Sequence, residues 1–154
     1  MRRFVTSAMI LAVLSGILGL SATPASAIEA NMTWVSMGTN RCLDSNANQY
    51  AYTRGCGQPN LYQRWNGAFP RPRIFRNVAT NLCLDSNAAR EVYTRPCGAG
   101  NQYQQWRDIS TTSSYGVFQN VATGYCLDGN ASGDLYTNGC NMANRYMRWR
   151  EVYP

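Results

Sequence analysis

The chain has 154 residues and a formal net charge of +6, and its 14 basic residues are all arginine because it contains no lysine and no histidine. Without an imidazole, the chain has no histidine general base, no histidine metal ligand and no Ser-His or Cys-His nucleophile pair. Only 14% of the residues are charged, whereas glycine, tyrosine and cysteine number 13, 10 and 6. This composition indicates short strands, turns and disulfides, and it excludes coiled coils and charged disordered tails.

Residues 1–27 are predicted to be a secretory signal peptide that is cleaved after Ala27. Two arginines precede an apolar stretch of 13 residues, Ala8 to Leu20, and small residues follow at the cleavage point. A membrane anchor is disfavoured because a helix needs roughly 20 apolar residues to span a bilayer. We therefore expect a secreted, extracellular protein with no membrane span, whose mature part, residues 28–154, is one domain.

The charge of the predicted mature chain argues against a nucleic-acid partner. Residues 28–154 carry 12 arginines against 8 carboxylates, and the arginines are scattered along the chain. Nucleic-acid binding requires clustered lysine or arginine side chains that neutralise phosphates.

The mature sequence repeats one unit three times. Each copy contains Cys-Leu-Asp, a second cysteine 14 positions after the first, and a tryptophan nine positions after the second cysteine. The copies are offset by 41 and 43 residues, so the units span about 32–72, 73–115 and 116–154. One unit of this length cannot bury an apolar face alone, whereas three units can share one core.

The identical cysteine spacing in the three units predicts one disulfide within each unit, although six cysteines can pair in 15 ways. An exported protein meets the oxidising conditions in which cysteines pair. A zinc site is disfavoured because the chain lacks Cys-x-x-Cys and histidine spacings. The predicted pairs are Cys42–Cys56, Cys83–Cys97 and Cys126–Cys140.

Short segments rich in valine, threonine and tyrosine, bounded by glycine, asparagine and proline, predict strands and turns within each unit. Residues 50–54, 91–95 and 134–138 alternate in kind, as expected of strands with one face toward a core. The predicted core face comprises Ala51, Thr53, Val92, Thr94, Leu135 and Thr137. The predicted outward face comprises Tyr52, Arg54, Tyr93, Arg95, Tyr136 and Asn138.

The order Cys-Leu-Asp, second cysteine, Gln-x-Trp resembles the repeat of ricin B-type lectins over essentially the whole mature chain. Gln63-Arg64-Trp65 and Gln104-Gln105-Trp106 fit the Gln-x-Trp signature, whereas the third copy reads Met147-Arg148-Trp149. The resemblance implies an all-β fold, a β-trefoil in which six of twelve short strands close a barrel and six cap it as hairpins. Three tryptophans and two glutamines are then structural, with Trp34, Phe75 and Phe118 also in the core. The structural residues are Gln63, Trp65, Gln104, Trp106 and Trp149.

A glycan is recognised through hydrogen bonds to its hydroxyls and through an aromatic ring against the apolar face of the sugar. In the ricin-type family the aspartate of Cys-x-Asp accepts hydrogen bonds from two sugar hydroxyls. By position this role falls to one aspartate in each unit, and we expect an asparagine, a tyrosine and an arginine or asparagine beside it. The candidate carbohydrate-binding residues are Asp44, Asn46, Tyr52 and Arg54, then Asp85, Asn87, Tyr93 and Arg95, then Asp128, Asn130, Tyr136 and Asn138.

Two other interpretations of the Asp-Ser-Asn and Asp-Gly-Asn segments compete with sugar contact. Such residues form turns by bonding to their own backbone. The segment from Asp44 to Asn48 also resembles the start of a calcium loop, but it lacks the later glutamate and the other copies break its spacing. We therefore expect no metal and no cofactor.

The leading functional hypothesis is a secreted, non-catalytic lectin that binds glycans or polysaccharide through shallow sites on three lobes. The alternative is an interaction subunit of a larger, separately encoded secreted toxin or enzyme, with its sugar sites decayed. An enzyme is disfavoured because a glycosidase needs two carboxylates about 5–10 Å apart, and the repeated aspartates fall on separate units.

Overall fold

The computed structural model describes residues 31–67 and 71–153, so the predicted signal peptide lies outside the described residues. The described residues contain no α-helix. They form twelve strands and three single-turn 3₁₀ helices, which confirms the all-β class. The strands are β1 (Asn31–Ser36), β2 (Cys42–Ser45), β3 (Ala51–Arg54), β4 (Trp65–Asn66), β5 (Arg76–Asn77), β6 (Cys83–Ser86), β7 (Val92–Arg95), β8 (Trp106–Asp108), β9 (Phe118–Asn120), β10 (Cys126–Gly129), β11 (Leu135–Asn138) and β12 (Trp149–Val152). The 3₁₀ helices are Leu61–Gln63, Gln102–Gln104 and Arg145–Met147.

Six strands, β1, β4, β5, β8, β9 and β12, close into a barrel. Strand β1 pairs with β12 and β4, β4 pairs with β5, and β8 pairs with β9, all antiparallel. Two isolated bridges complete the ring, one between Arg73 and Trp106 and the other between Gly116 and Trp149. Closure leaves the barrel without an open strand edge, which explains how such short strands form a stable sheet.

Three hairpins, β2–β3, β6–β7 and β10–β11, cap the barrel. Each hairpin comes from one of the three repeat units, which form lobes 1, 2 and 3 in chain order. Backbone hydrogen bonds join each hairpin to the turn of the preceding one, and the first hairpin to the turn of the third: Thr94 donates to the Gln49 carbonyl at 2.8 Å, Thr137 to Arg90 at 2.9 Å and Thr53 to Gly133 at 2.8 Å. The three threonines are buried whereas the outward residues that end β3, β7 and β11 are exposed, so the predicted alternation is confirmed.

The core is built from aromatic side chains contributed equally by the three lobes. Trp65, Trp106 and Trp149 are fully buried, and each donates its indole N–H to the carbonyl of the leucine in the Cys-Leu-Asp of its own lobe, at 3.0, 3.1 and 3.2 Å. These bonds tie the last strand of each lobe to its hairpin. The predicted core position of the three tryptophans is confirmed.

A second aromatic layer lies on the pseudo-threefold axis. The rings of Trp34, Phe75 and Phe118 contact one another edge to face, with centroids 4.8–5.6 Å apart. This is the preferred geometry for aromatic contacts because the positive ring edge meets the negative ring face. The three rings fill the middle of the barrel, as predicted.

All three predicted disulfides are confirmed, each within one lobe, with Cα atoms 5.0–5.1 Å apart. Each bridge ties the first strand of a hairpin to the segment that follows the second strand. A closed loop of this size stabilises the fold by about 3 kcal/mol on the chain-entropy model.

Candidate functional site

The three repeated aspartates occupy the same position in their lobes, on β2, β6 and β10. Asp44, Asp85 and Asp128 are only 2, 5 and 3% exposed, so these side chains are buried and do not project into solvent. The cause is local: the 3₁₀ turn of each lobe folds over the hairpin and covers the carboxylate.

A glutamine amide holds the carboxylate in the first two lobes. In lobe 1, Gln63 Nε2 donates to Asp44 Oδ2 at 2.8 Å and to the Gly55 carbonyl at 3.0 Å, and its Oε1 accepts from the Gly57 N–H at 2.9 Å. In lobe 2, Gln104 makes the same set of bonds to Asp85 at 2.9 Å, to Pro96 and to Gly98. The buried glutamine of Gln-x-Trp therefore holds the aspartate of the candidate site in place on β2 or β6.

A second amide comes from an asparagine that the sequence-based prediction did not include in the site. Asn60, Asn101 and Asn144 each cap a 3₁₀ turn by accepting from the N–H two residues on. Their amides also turn toward the carboxylates: Asn101 Nδ2 donates to Asp85 at 3.4 Å and Asn144 Nδ2 to Asp128 at 3.3 Å. The sequence signal was an asparagine three positions before the Gln or Met of every unit.

Lobe 3 replaces the glutamine by a sulfur. Met147 is 1% exposed, and its Sδ accepts from the Asn141 N–H at 3.4 Å. Asp128 is held instead by the Gly129 N–H at 2.9 Å and by Asn144. The carboxylate thus has fewer partners from the 3₁₀ turn than its equivalents in the other lobes.

Burial raises the pKa of Asp44 and of Asp128 above the ordinary value of 3.8. The opposing effects are weaker, and they come from the Gln63 amide, the Ser45 N–H and the Arg54 guanidinium at Asp44, and from Gly129 and Asn144 at Asp128. Because amides rather than a cation hold these carboxylates, they keep lone pairs that can accept hydrogen bonds from a ligand.

Each aspartate lies directly opposite a tyrosine in its hairpin, so both side chains are on one face. The pairs are Asp44–Tyr52, Asp85–Tyr93 and Asp128–Tyr136. The rings are half-buried, and the hydroxyls of Tyr52 and Tyr136 donate to a carbonyl of the opposite strand at 3.4 and 3.3 Å. Burial, followed by the neighbouring carboxylate, raises the pKa of Tyr93 and Tyr136. The predicted acid and ring are therefore brought together in all three lobes.

A groove between lobes 1 and 2 contains the ring of the second site. It has a volume of about 460 Å³ and is lined by Tyr93 and Arg95 together with Gln49 and Tyr50 of the preceding lobe. Arg95 donates to Gln49 Oε1 at 2.9 Å, and its guanidinium lies 5.1 Å from the Tyr93 ring centroid. Tyr50 is 65% exposed. Two rings and a fixed guanidinium thus share this groove.

The groove between lobes 2 and 3 has about 600 Å³ and a different lining. Tyr136 and Asn138 are joined there by Arg90 and Glu91 of lobe 2. Arg90 donates to Asn138 Oδ1 at 3.2 Å, and Glu91 stands where Tyr50 stands in the first groove. Glu91 lines both grooves, and each groove has a tyrosine of its own lobe, but the arginine differs: Arg95 in the first groove and Arg90 in the second.

The asparagines of Asp-Ser-Asn and Asp-Gly-Asn serve their own turns. Asn46 Oδ1 accepts from the Asn48 and Tyr50 N–H groups. Asn87 and Asn130 accept in the same way, and their amides donate to a carboxylate four residues on, at 2.6 and 2.8 Å. The structure gives these residues a turn-forming role and adds no support to their predicted contact with sugar.

In the parts of the chain described, there is no cluster of three potential metal ligands among cysteine, aspartate and glutamate. No helix in residues 31–67 and 71–153 has the length and apolar character to cross a bilayer.

The closed six-stranded barrel with three capping hairpins defines a β-trefoil, and each lobe of it pairs an acid with a ring. Residues 30–149 match the family model of the ricin-type beta-trefoil lectin domain. The chain belongs to this family, which is a carbohydrate-binding one. A comparison with curated protein sequences finds no significant match.

Solved structures share the fold. The designed threefold-symmetric protein ThreeFoil aligns with a TM-score of 0.68 and 19% identity over 79% of this chain and 97% of its own. The GlcNAcα1-4Gal releasing endo-β-galactosidase from Clostridium perfringens gives 0.72 and 14% over 81% of this chain and 32% of the enzyme. The Haemophilus ducreyi cytolethal distending toxin gives 0.68 and 15% over 81% and 84%.

Proposed function

We propose that the protein is a secreted, non-catalytic lectin that binds glycans through the aspartate, tyrosine and amide groups of its lobes. The observation that carries the proposal is the threefold repetition of one arrangement: a buried carboxylate held by amides, directly opposite a tyrosine. Turn formation alone does not require this, since the neighbouring asparagines already close the turns.

Keeping a carboxylate buried has a cost in every lobe. Burial penalises the charged form, as the raised pKa of Asp44 and Asp128 shows. Perturbed acids concentrate at functional sites, and two such acids at equivalent positions, Asp44 and Asp128, favour a binding role. On this proposal each carboxylate accepts a hydrogen bond from a sugar hydroxyl beside the tyrosine that lies opposite it.

Lobe 2 offers the most complete set of groups. Asp85 is held by both Gln104 and Asn101, and the adjoining groove carries Tyr93 and the exposed ring of Tyr50. A sugar ring can lie against an aromatic face while its hydroxyls meet the carboxylate and the amides. Lobe 3 offers the least, because Met147 cannot donate to Asp128.

Two further features of the chain support a role that is non-catalytic and extracellular. The repeated aspartates lie on separate lobes, so no two of them can act together as the acid and base of a hydrolysis. The predicted signal peptide and the three disulfides suit an extracellular protein. Three weak sites on one rigid body would raise avidity on a polysaccharide or a cell surface.

The test is binding of the purified protein to an array of neutral mono- and oligosaccharides, beside single Asp44→Asn, Asp85→Asn and Asp128→Asn variants. Losing the charge of one hydrogen-bonding acceptor should weaken its site by about tenfold or more, with the largest loss of array signal for Asp85→Asn. Glu151→Gln is the matched control, since it converts a carboxylate outside the lobe sites. If each of the three single variants binds the array as strongly as wild type does, the proposal is contradicted.

Two observations favour the alternative, an interaction subunit of a larger secreted toxin or enzyme. The carboxylates are nearly covered, and the turn asparagines are engaged by their own backbone. The same array separates the two functions: a folded wild-type protein that binds no glycan, yet co-purifies with one partner secreted by the same cells, would establish the alternative.

A further inference from the structure

A row of three side chains crosses the boundary between lobes 1 and 2. Asp85 lies directly opposite Tyr93 in the β6–β7 hairpin, and Tyr93 lies directly opposite Tyr50 in an isolated antiparallel bridge. Residues that lie opposite one another in an antiparallel pair point to the same face. The row therefore continues from the candidate site of lobe 2 onto an aromatic ring that belongs to lobe 1.

The row is longer than one sugar ring. Neighbouring strands lie about 4.8 Å apart, so three aligned positions span about 10 Å. A pyranose that lies against the ring of Tyr93 does not also cover the ring of Tyr50. Two linked sugar residues are needed to contact both rings.

The tyrosine at position 50 is a departure from the threefold repeat. The equivalent positions, four residues after the turn asparagine, hold Glu91 in lobe 2 and Asp134 in lobe 3. Both acids accept a hydrogen bond from that asparagine, at 2.6 and 2.8 Å, so they help to close their own turns. Tyr50 has no carboxylate for this purpose, and it is 65% exposed. Burial in the fold therefore does not explain the ring at this position.

The row of lobe 3 has the same geometry and a different chemistry. Asp128 lies opposite Tyr136, and Tyr136 lies opposite Glu91 in a second isolated bridge. A carboxylate thus stands where the row of lobe 2 has its second ring. For lobe 1 the equivalent position is Asp134 of lobe 3, which is also a carboxylate. Of the three lobes, only lobe 2 has an aromatic side chain at this position.

The turn that carries Tyr50 is fixed to lobe 2. The Gln49 carbonyl accepts from the Thr94 N–H at 2.8 Å, and Gln49 Oε1 accepts from Arg95 at 2.9 Å. The Arg95 guanidinium also lies 5.1 Å from the centroid of the Tyr93 ring. Because these bonds join the two lobes beside both rings, the backbone that carries the rings is in position before a ligand binds. Such preorganisation lowers the entropy cost of binding.

The groove around the two rings carries polar groups that suit sugar hydroxyls. Besides the rings, its lining includes Asn48, Asn87, Glu91 and Arg95. Amide, carboxylate and guanidinium groups supply both donors and acceptors, and the tyrosines supply apolar faces. One arginine and one glutamate leave the lining without a net charge. A neutral oligosaccharide, with hydroxyls at its edges and apolar faces on its rings, fits this combination.

We propose that the groove between lobes 1 and 2 is a second sugar subsite, so that lobe 2 binds a neutral disaccharide or longer chain in preference to a monosaccharide. The first sugar lies at Tyr93 and Asp85, as in the proposed function on which this inference rests, and the second lies against Tyr50. Asp85 does not line the groove, so the groove extends the lobe 2 site and replaces no part of it. Tyr50 is then the residue that selects for chain length.

The experiment is an NMR titration of the ¹⁵N-labelled protein with matched neutral sugars: glucose and cellobiose, galactose and galactobiose, mannose and mannobiose, and N-acetylglucosamine and chitobiose. The backbone amides of Tyr93 and Tyr50 report on the two subsites. We expect a recognised disaccharide to bind lobe 2 about tenfold or more tightly than its monosaccharide. The monosaccharide should shift mainly the Tyr93 signal, and the disaccharide should shift both signals.

Tyr50→Glu introduces the residue that lobe 2 has at the equivalent position, and because the side chain is exposed we expect native folding. The variant should bind the disaccharide about tenfold more weakly, no better than the monosaccharide, and should keep the wild-type affinity for the monosaccharide. Tyr50→Phe keeps the ring and should keep the preference for the disaccharide. Tyr153→Glu is the matched control, since Tyr153 is 64% exposed and does not line the groove.

Equal affinities of lobe 2 for the two sugar lengths, or a disaccharide preference that survives Tyr50→Glu, would overturn the inference and leave the proposed function standing. An equal gain from the second sugar at Tyr52 or Tyr136 would also overturn it, since lobes 1 and 3 have an acid in place of the second ring. If the folded wild-type protein binds none of these sugars and no glycan of the array, the inference and the proposed function fail together.

Discussion

At the scale of single residues, the informative pair is an aspartate and the glutamine of Gln-x-Trp. Sequence reasoning treats them separately, one as a ligand and the other as a structural residue. The structure joins them, since Gln104 bonds Asp85, the Pro96 carbonyl and the Gly98 N–H at once. A change at the glutamine therefore acts on the fold and on the candidate site together.

Gln104→Ala should lower the free energy of unfolding by roughly 2 to 3 kcal/mol, because it leaves several buried polar groups without partners. Urea unfolding of the variant beside wild type measures the loss. Gln102→Ala is the control, since Gln102 is an exposed residue of the same 3₁₀ turn. Equal stabilities for the two variants would show that the hydrogen bonds of the Gln104 side chain do not stabilise the lobe.

The raised pKa of Asp44 and Asp128 predicts a specific pH dependence of stability. The folded state holds their protons more tightly than the unfolded chain does. Their contribution is therefore fully present below the unfolded value of 3.8 and is lost as the pH rises through the raised folded pKa. These two groups make the free energy of unfolding fall with rising pH in that window.

A double variant, Asp44→Asn with Asp128→Asn, removes this titration and keeps the shape of both side chains. Its free energy of unfolding minus that of wild type should increase with pH from 3.8 upward and then level off. Urea unfolding at closely spaced pH values measures the difference. A difference that is flat or decreasing in this window would mean that the folded-state pKa of these acids is not raised.

At the scale of elements, each hairpin was predictable and its junction with the next hairpin was not. Alternating residues and identical cysteine spacing identify β2–β3, β6–β7 and β10–β11 along with their bridges. The turn residues that bond the neighbouring hairpin have positive φ: 70° at Gln49, 71° at Arg90 and 104° at Gly133. Nothing local in a glutamine or an arginine indicates this conformation, because the contact that fixes it comes from another lobe.

Gly133 is the most demanding of the three turn positions. A Cβ there would lie 2.6 Å from the carbonyl oxygen of Thr53, the residue whose N–H donates the inter-lobe hydrogen bond to the Gly133 carbonyl. Gly133→Ala should therefore destabilise the protein by roughly 1 to 3 kcal/mol, measured by thermal unfolding. Gly139→Ala is the control and should change stability little, because nothing lies within 4 Å of the added Cβ. Equal losses of stability in both variants would show that the contact between Gly133 and Thr53 does not stabilise the protein.

At the scale of the whole molecule, the repeat predicted the closed body and the residues that fill it. Three copies of a unit too small to fold alone imply a shared core, and the tryptophans lie where that argument puts them. What the repeat could not supply is the boundary between lobes. The grooves join Tyr93 to Tyr50 and Tyr136 to Arg90, residues more than 40 positions apart, so their pairing depends on how the lobes pack.

Departures from the repeat carry as much information as the repeat itself. Met147 removes an amide from one lobe site, and Trp34 and Arg73 place unpaired donors on the axis. Each is visible in an alignment of the three units, but its consequence depends on neighbours from another lobe. The turn asparagines, in contrast, are repeated in all three units, but their repetition reflects turn geometry and gives no evidence of a binding role.

The most direct test of carbohydrate binding by the lobes is NMR mapping of the neutral array glycan that gives the strongest signal. Titrated into the ¹⁵N-labelled protein, it should shift the side-chain amide signals of Gln104 and Asn101 and the backbone amides of Tyr93 and Arg95. Asp85→Asn should abolish those shifts and leave the fold intact. Shifts confined to surfaces away from the three aspartates, with the signals around Asp85 unmoved, would contradict binding at the lobes.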